Sequence, residues 1–233
     1  MQNPVPLAML KRAALFPLKR LPGALLLALF LMTAAAAAPT AVQQAALERA
    51  VIDHDQGRLL RARRSFEALA RQKVPAAAYN LGVMHLEGEF AGASPAQARR
   101  WIERAAKQGF VTAQFAMGQL FETGRAGPRD LVVAHSWYER AAAAGSVDAQ
   151  VAAGTAYYLG RGAPKSPADA MRWYREAAKG GDVGAQYLLA SMYEQGDGAE
   201  RDLRLARYWY DIAARNGDPA AAIKARELDP REP

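Results

Sequence analysis

Four tryptophans lie 36 residues apart along this chain, and other residue types keep the same step. The recurrent positions are Trp101, Trp137, Trp173, Trp209; Gly88, Gly124, Gly160, Gly196; Gly109, Gly145, Gly181, Gly217; and Ala98, Ala134, Ala170, Ala206. A fixed period of this length indicates a stack of like supersecondary units that bury their apolar faces against one another. Such stacks form extended binding surfaces more often than catalytic clefts.

Each repeat contains the pattern of two helices, which we call helix A and helix B. Helix A of the first full repeat is predicted over about 75–87, and its inward face holds Leu81 and Gly82 at helical spacing. Glycine inside a helix costs about 1 kcal/mol relative to alanine. Its return at Gly118 and Gly154 therefore predicts the close approach of another helix, with the neighbouring tryptophan filling the space beside it.

Helix B is predicted to begin at a capping residue and to end at the recurrent glycine. The first residues are of the types that accept a backbone N–H bond at a helix N-terminus: Ser94, Asp130, Ser166 and Asp202. Glycine after the last turn suits a left-handed C-terminal cap. The tryptophans share a stripe with the inward alanines, so we expect them to belong to the core rather than to a sugar-binding platform.

These signals predict an all-α fold, a right-handed α/α solenoid of helix-turn-helix repeats. Terminal repeats differ from the others because one of their faces meets water. We therefore expect a degenerate capping helix pair over 39–74 and a capping helix with a tail over 218–233. The four full repeats between them are 75–109, 110–145, 146–181 and 182–217.

The first 38 residues have the pattern of a secretory signal peptide. Lys11, Arg12, Lys19 and Arg20 precede an apolar run of 15 residues, Ala24 to Ala38, which is shorter than the roughly 20 that span a membrane. Cleavage is predicted near Ala37 or Ala38, which would place the chain in the periplasm or outside the cell. An uncleaved inner-membrane anchor is the alternative, and either Met1 or Met9 could be the start.

The amino-acid composition argues against a disulfide-stabilised protein and against a nucleic-acid-binding one. The chain has no cysteine, so an exported form must be stable without disulfides, which favours the bacterial periplasm. Its net charge is +7, and +3 once residues 1–38 are removed, with no basic stripe that predicts nucleic-acid binding.

No motif predicts a metal or phosphate site. His54, His85 and His135 lack zinc-ligand spacing, and 160–166 lacks the glycine and the preceding strand of a phosphate loop. We expect no metal, cofactor or catalytic site, although carboxylates paired only in three dimensions stay possible.

The repeat pattern A-x-x-x-L/M-G…G-x-G…D/S-x-x-x-A-x-x-W-Y/F-x-x-A-A-x-x-G resembles the Sel1-like repeat family, a branch of the tetratricopeptide-like α/α solenoids. It departs from that pattern at His85, Ile102 and Ala190. The resemblance implies a scaffold for protein–protein interaction, often in the bacterial envelope, with helix A lining a concave face.

On that analogy, the side of helix A away from the core stripe supplies the candidate partner-binding residues. They are Tyr79, Val83, Phe115, Gln119, Thr155, Tyr187, Ser191 and Gln195. The column formed by positions 79, 115, 151 and 187 has two interpretations: packing between repeats, or a groove for an extended peptide or partner helix. The resulting hypothesis is an exported, monomeric, non-enzymatic scaffold for another protein. The alternative is a cell-wall or polysaccharide-associated binding protein or enzyme.

Overall fold

The computed structural model describes residues 38–229, and within them the chain is entirely helical and turn, with no strand. The helices are α1 (Ala41–Asp55), α2 (Leu59–Arg71), α3 (Pro75–Leu86), α4 (Pro95–Lys107), α5 (Val111–Thr123), α6 (Leu131–Ala143), α7 (Val147–Leu159), α8 (Pro167–Lys179), α9 (Val183–Gln195), α10 (Leu203–Arg215) and α11 (Pro219–Glu227). The predicted all-α solenoid is confirmed.

The predicted leader lies outside the described residues, apart from Ala38. No helix within 38–229 is long and apolar enough to cross a membrane.

The described chain forms two compact units, 38–144 and 145–229. The first contains α1 to α6 and the second α7 to α11. Within each unit every helix packs against the next helix along the chain, and the largest contacts lie between helix A and helix B of one repeat. A stack of helix pairs follows, in which each pair covers the apolar side of the pair before it.

The predicted caps define the start and end of helix B. Ser94 Oγ accepts a hydrogen bond from the Gln97 N–H at 3.3 Å, and Asp130 Oδ1 accepts one from the Val133 N–H at 3.0 Å. Ser166 and Asp202 cap α8 and α10 in the same way. The glycine that follows each helix B has a positive φ, for example 91° at Gly145, which an L side chain adopts only with strain. These cap predictions are confirmed.

Each unit has its own core of alanines interleaved with a few large side chains. In 38–144, Phe66, Leu81 and Met84 are fully buried, and in 145–229 Tyr174 and Tyr210 are. Alanine at the contact positions allows the helix axes to approach, and the large side chains fill the space that remains. The packing explains why both faces of helix A are apolar: one meets its own helix B and the other meets the preceding one.

The structure corrects the predicted partner of the recurrent glycine. A Cβ atom at Gly118 would overlap the ring of Tyr138, and one at Gly154 would lie 2.9 Å from the Tyr174 ring. In the first repeat the corresponding neighbour of the glycine is the Ile102 side chain. The close contact is therefore made by the residue after the tryptophan, not by the tryptophan itself.

The tryptophans form the edge of the core rather than its centre. Trp137 is 6% exposed, whereas Trp101, Trp173 and Trp209 are only partly buried. An arginine guanidinium lies over three of the rings, at 4.6 Å from the ring centroid in the pair of Arg140 and Trp137. Trp101 and Trp209 pack against the buried core from its edge. The predicted tryptophan core is therefore confirmed in full for Trp137 and only at the edge of the core for these two.

Candidate partner-binding surface

Four of the candidate residues lie on two successive A helices of the unit 38–144. Tyr79 and Val83 stand one helical turn apart on α3, and Phe115 and Gln119 occupy the same register on α5. All four are half-buried. The Tyr79 ring lies 5.6 Å from that of Phe110, so it packs between repeats while part of it stays open. We call these four side chains the α3–α5 patch.

An ion pair joins the ends of the two helices that carry the α3–α5 patch. Arg125 Nη2, just after α5, donates to Glu87 Oε1, just after α3, at 3.1 Å. Within the patch, the Phe115 ring lies 5.6 Å from the ring of Tyr138, whose hydroxyl donates to Glu122 at 2.7 Å. These contacts hold the patch in place, and a rigid surface loses less conformational entropy when it binds.

In the unit 145–229 the equivalent residues are buried, which corrects the predicted exposure. Thr155 is 5% exposed, Tyr187 6% and Ser191 4%. The Thr155 hydroxyl donates to the Val151 carbonyl at 2.8 Å and lies 3.1 Å from the Tyr174 hydroxyl. These three side chains are buried, and so is Val151. The packing interpretation therefore holds for positions 151 and 187 of the column.

The tyrosine of helix B contributes to this burial. The rings of Tyr187 and Tyr210 are 5.1 Å apart. Gln195, one turn beyond Ser191, is exposed and donates to the Ser191 hydroxyl at 3.1 Å. Of the four candidates in this unit, Gln195 is the one that solvent reaches.

The buried tyrosines are suited to structure rather than to proton transfer near neutral pH. Burial raises the pKa of Tyr174, Tyr187 and Tyr210, and the hydrogen bond from Tyr210 to Glu194, at 2.7 Å, raises the pKa of Tyr210 further. Burial, with the carboxylate of Asp197, raises the pKa of Tyr158 to about 12. Phenols in this state stay protonated and donate hydrogen bonds.

Sequence reasoning did not identify how one repeat is joined to the next. Gln114 Nε2 donates to the carbonyl of Ala106 at 3.3 Å, and Gln186 Nε2 donates to that of Ala178 at 3.1 Å. Each bond links helix A to the end of the helix B before it. A glutamine that recurs every 36 residues on an otherwise apolar stripe was the available signal, since a buried amide needs polar partners.

His85 packs against an aromatic ring, and His54 contacts a carboxylate. The His85 ring packs edge-on to Phe90 at 4.8 Å, and its Nδ1 faces the Ser94 N–H at 3.4 Å. Burial lowers the pKa of His85. His54 Nε2 lies 2.8 Å from Glu89 Oε2. Among residues 38–229 no three His, Asp or Glu side chains cluster as metal ligands would.

Comparison with known proteins gives one family and two informative structures. The model of the Sel1 repeat matches residues 75–110, 111–146, 147–182 and 183–218. A Sel1 repeat protein from Oxalobacter formigenes is 33% identical with a TM-score of 0.66, over 72% of this chain and 49% of that one.

The second structure is c5321, a protective antigen of uropathogenic Escherichia coli with an SLR fold. It is 31% identical with a TM-score of 0.64, over 71% of this chain and 35% of that one. The chain thus spans about half the length of the first relative and about a third of the second. No curated protein sequence matches it.

Proposed function

Because the chain belongs to the Sel1 repeat family, we propose that it is an exported, non-enzymatic scaffold that holds a partner protein in the bacterial envelope. Sel1 repeat proteins generally mediate protein–protein interaction. The description of c5321 as a protective antigen concerns that protein, and it is compatible with an envelope setting for this one.

The α3–α5 patch is the observation that supports this proposal most directly. Two aromatic rings, an aliphatic side chain and an amide lie partly exposed at equivalent positions of consecutive repeats. A partner helix or extended segment would place apolar anchors at repeat spacing on Tyr79 and Phe115. The ion pair between Glu87 and Arg125 closes one end of this surface.

Two valines in the unit 38–144 allow a matched test. Val83 belongs to the α3–α5 patch, whereas Val132 is 67% exposed on α6, a helix B. The chain would be tagged at its C-terminus, cross-linked in cells and captured, with Val83→Glu and Val132→Glu prepared in parallel. A protein partner that is retained by the parent and by Val132→Glu, and lost by Val83→Glu, supports the proposal.

Loss of the partner from both variants, or from neither, argues against the α3–α5 patch. Thermal melting would show that both variants stay folded. Capture of wall polysaccharide in place of protein would favour the alternative of a glycan-binding protein.

Export has its own test. The predicted signal peptide covers residues 1–38, and its basic leader and apolar run support the proposal. Cell fractionation with N-terminal sequencing is expected to find the chain in the periplasm or medium, beginning near Ala38 or Pro39. A cytoplasmic chain that starts at Met1 or Met9 would contradict export.

A further inference from the structure

Charge is distributed unevenly between the two units. Residues 38–144 hold fourteen Lys and Arg against ten Asp and Glu, whereas residues 145–229 hold eleven against twelve. The positive charge of the described chain therefore lies in the first unit. Its location within that unit indicates what kind of partner it would attract.

Part of this positive charge lies on the solvent side of helix B in the first two helix pairs. Arg61, Arg64 and Arg71 project from the exposed side of α2, and Arg100 stands on α4 at the position equivalent to Arg64. Lys73 follows directly after α2 and is also exposed. We call these five residues the basic face. No basic stripe was predicted from the sequence, because helical register and burial are needed to identify the exposed side of each helix.

Most of these cations have no acidic partner. Among residues 38–229, no carboxylate forms an ion pair with Arg64, Arg71, Lys73 or Arg100, and Arg61 lies 4.0 Å from Asp53, which pairs more closely with Arg58. Helix α8 offers a contrast within the same fold. There the equivalent exposed cations are neutralised, since Arg172 pairs with Asp169 at 3.7 Å and Lys179 with Glu176 at 2.9 Å.

Apolar side chains accompany the basic face at both ends. Leu60 is 57% exposed at the rim of an open hollow of about 570 Å³ that Arg61 and Arg64 also line. At the other end Val42 is 79% exposed at the start of α1. Exposed aliphatic residues beside unpaired cations suit an interface that has both anionic groups and hydrocarbon.

The basic face also lies beside the point where the apolar leader ends. The run from Ala24 ends at Ala38, two residues before Thr40 caps α1. Gln43 Nε2 donates to Gln72 Oε1 at 3.1 Å, which sets the end of α2, with Arg71 and Lys73, next to the start of α1. Val42, at the start of α1, therefore lies at the same end of the unit as Arg71 and Lys73.

We propose that the basic face, with Leu60, binds the surface of an anionic phospholipid bilayer. The cations attract the lipid phosphates, and Leu60 inserts among the upper acyl carbons. This inference is independent of the α3–α5 patch, which lies on helix A and stays available to a protein partner.

Co-sedimentation with vesicles tests the proposal. The chain as recovered from cells would be mixed with vesicles of phosphatidylcholine alone or with one third phosphatidylglycerol. One variant combines Arg64→Glu, Arg71→Glu and Arg100→Glu. Its control, with the same change in charge, combines Arg204→Glu, Arg215→Glu and Arg226→Glu, all at exposed positions of the other unit. Circular dichroism checks that both variants fold.

We expect preferential binding to the anionic vesicles, weakened by salt and reduced about tenfold or more in the first variant. The control variant is expected to bind nearly as the parent does. Equal binding to both kinds of vesicle, or an equal loss in both variants, would overturn the proposal. Binding to soluble polyglutamate without binding to anionic vesicles would also overturn it, in favour of an acidic protein segment.

Discussion

The ring of Tyr138 lies against Gly118 so closely that a Cβ atom there would overlap the ring carbons Cδ1 and Cε1. The same relationship recurs one repeat later between Tyr174 and Gly154. It fixes how near helix B approaches helix A, and it places a tyrosine hydroxyl where Glu122 accepts its hydrogen bond at 2.7 Å. The spacing of the helix pair thus depends on a missing side chain on one helix and a large ring on the other.

Gly118→Ala is expected to destabilise the chain by about 1–3 kcal/mol, since the added methyl group must displace a buried ring. Gly184 offers a control, because it lies in the first turn of α9, is exposed, and has one neighbour at 3.3 Å, the Asp182 carboxylate. Gly184→Ala should be neutral or raise stability by up to about 1 kcal/mol. Urea unfolding measures both, and a Gly118→Ala variant as stable as the parent would contradict the close contact.

Tyr174→Ala is expected to cost more stability than Trp173→Ala, although tryptophan is the larger residue. Tyr174 is 1% exposed, so its removal leaves a cavity that should cost about 3–5 kcal/mol. Trp173 is only partly buried, and part of its ring is covered by Arg172 at 4.8 Å. Chemical denaturation of the two variants gives the order. A larger loss of stability in Trp173→Ala would indicate that the tryptophan contributes more to the core than Tyr174 does.

His85 should make stability fall on acidification. Burial lowers its pKa below the ordinary 6.5, and the Arg63 guanidinium lowers it further, while Glu67 opposes this. As pH falls below about 6.5, His85 takes up a proton in the unfolded chain but stays neutral in the folded chain. The folded state therefore loses stability until the pH reaches the pKa of His85 in the folded chain. Above about 6.5 both forms are neutral, and this contribution is constant.

His85→Phe removes that dependence at a position where the next repeat has Phe121. We expect the urea midpoint of the variant to fall less than that of the parent between about pH 7 and pH 5. Burial also lowers the pKa of His135, so some acid sensitivity remains in the variant. If the urea midpoints of parent and variant fall equally with pH, folding does not lower the pKa of His85, and the prediction is wrong.

Local signals predicted the helices well and the exposed surface less well. Ser94 and Gly145 mark helix ends through their own backbone chemistry, which a sequence displays directly. Whether Tyr187 or Ser191 is exposed depends on a ring from another helix, Tyr210, and on a rotation of about 100° between neighbouring residues. The basic face was missed for the same reason, since Arg64 and Arg100 lie on different helices whose exposed sides are set by packing.

Photo-cross-linking in living cells tests the scaffold proposal most directly. A photoreactive amino acid would replace Val83 or Gln119 in the α3–α5 patch, and in control chains Val132 or Tyr208, which are 67% and 53% exposed. We expect one discrete protein adduct from the two patch positions and none from the control positions. Adducts from the control positions alone, or from none of the four, would contradict a partner bound at this surface.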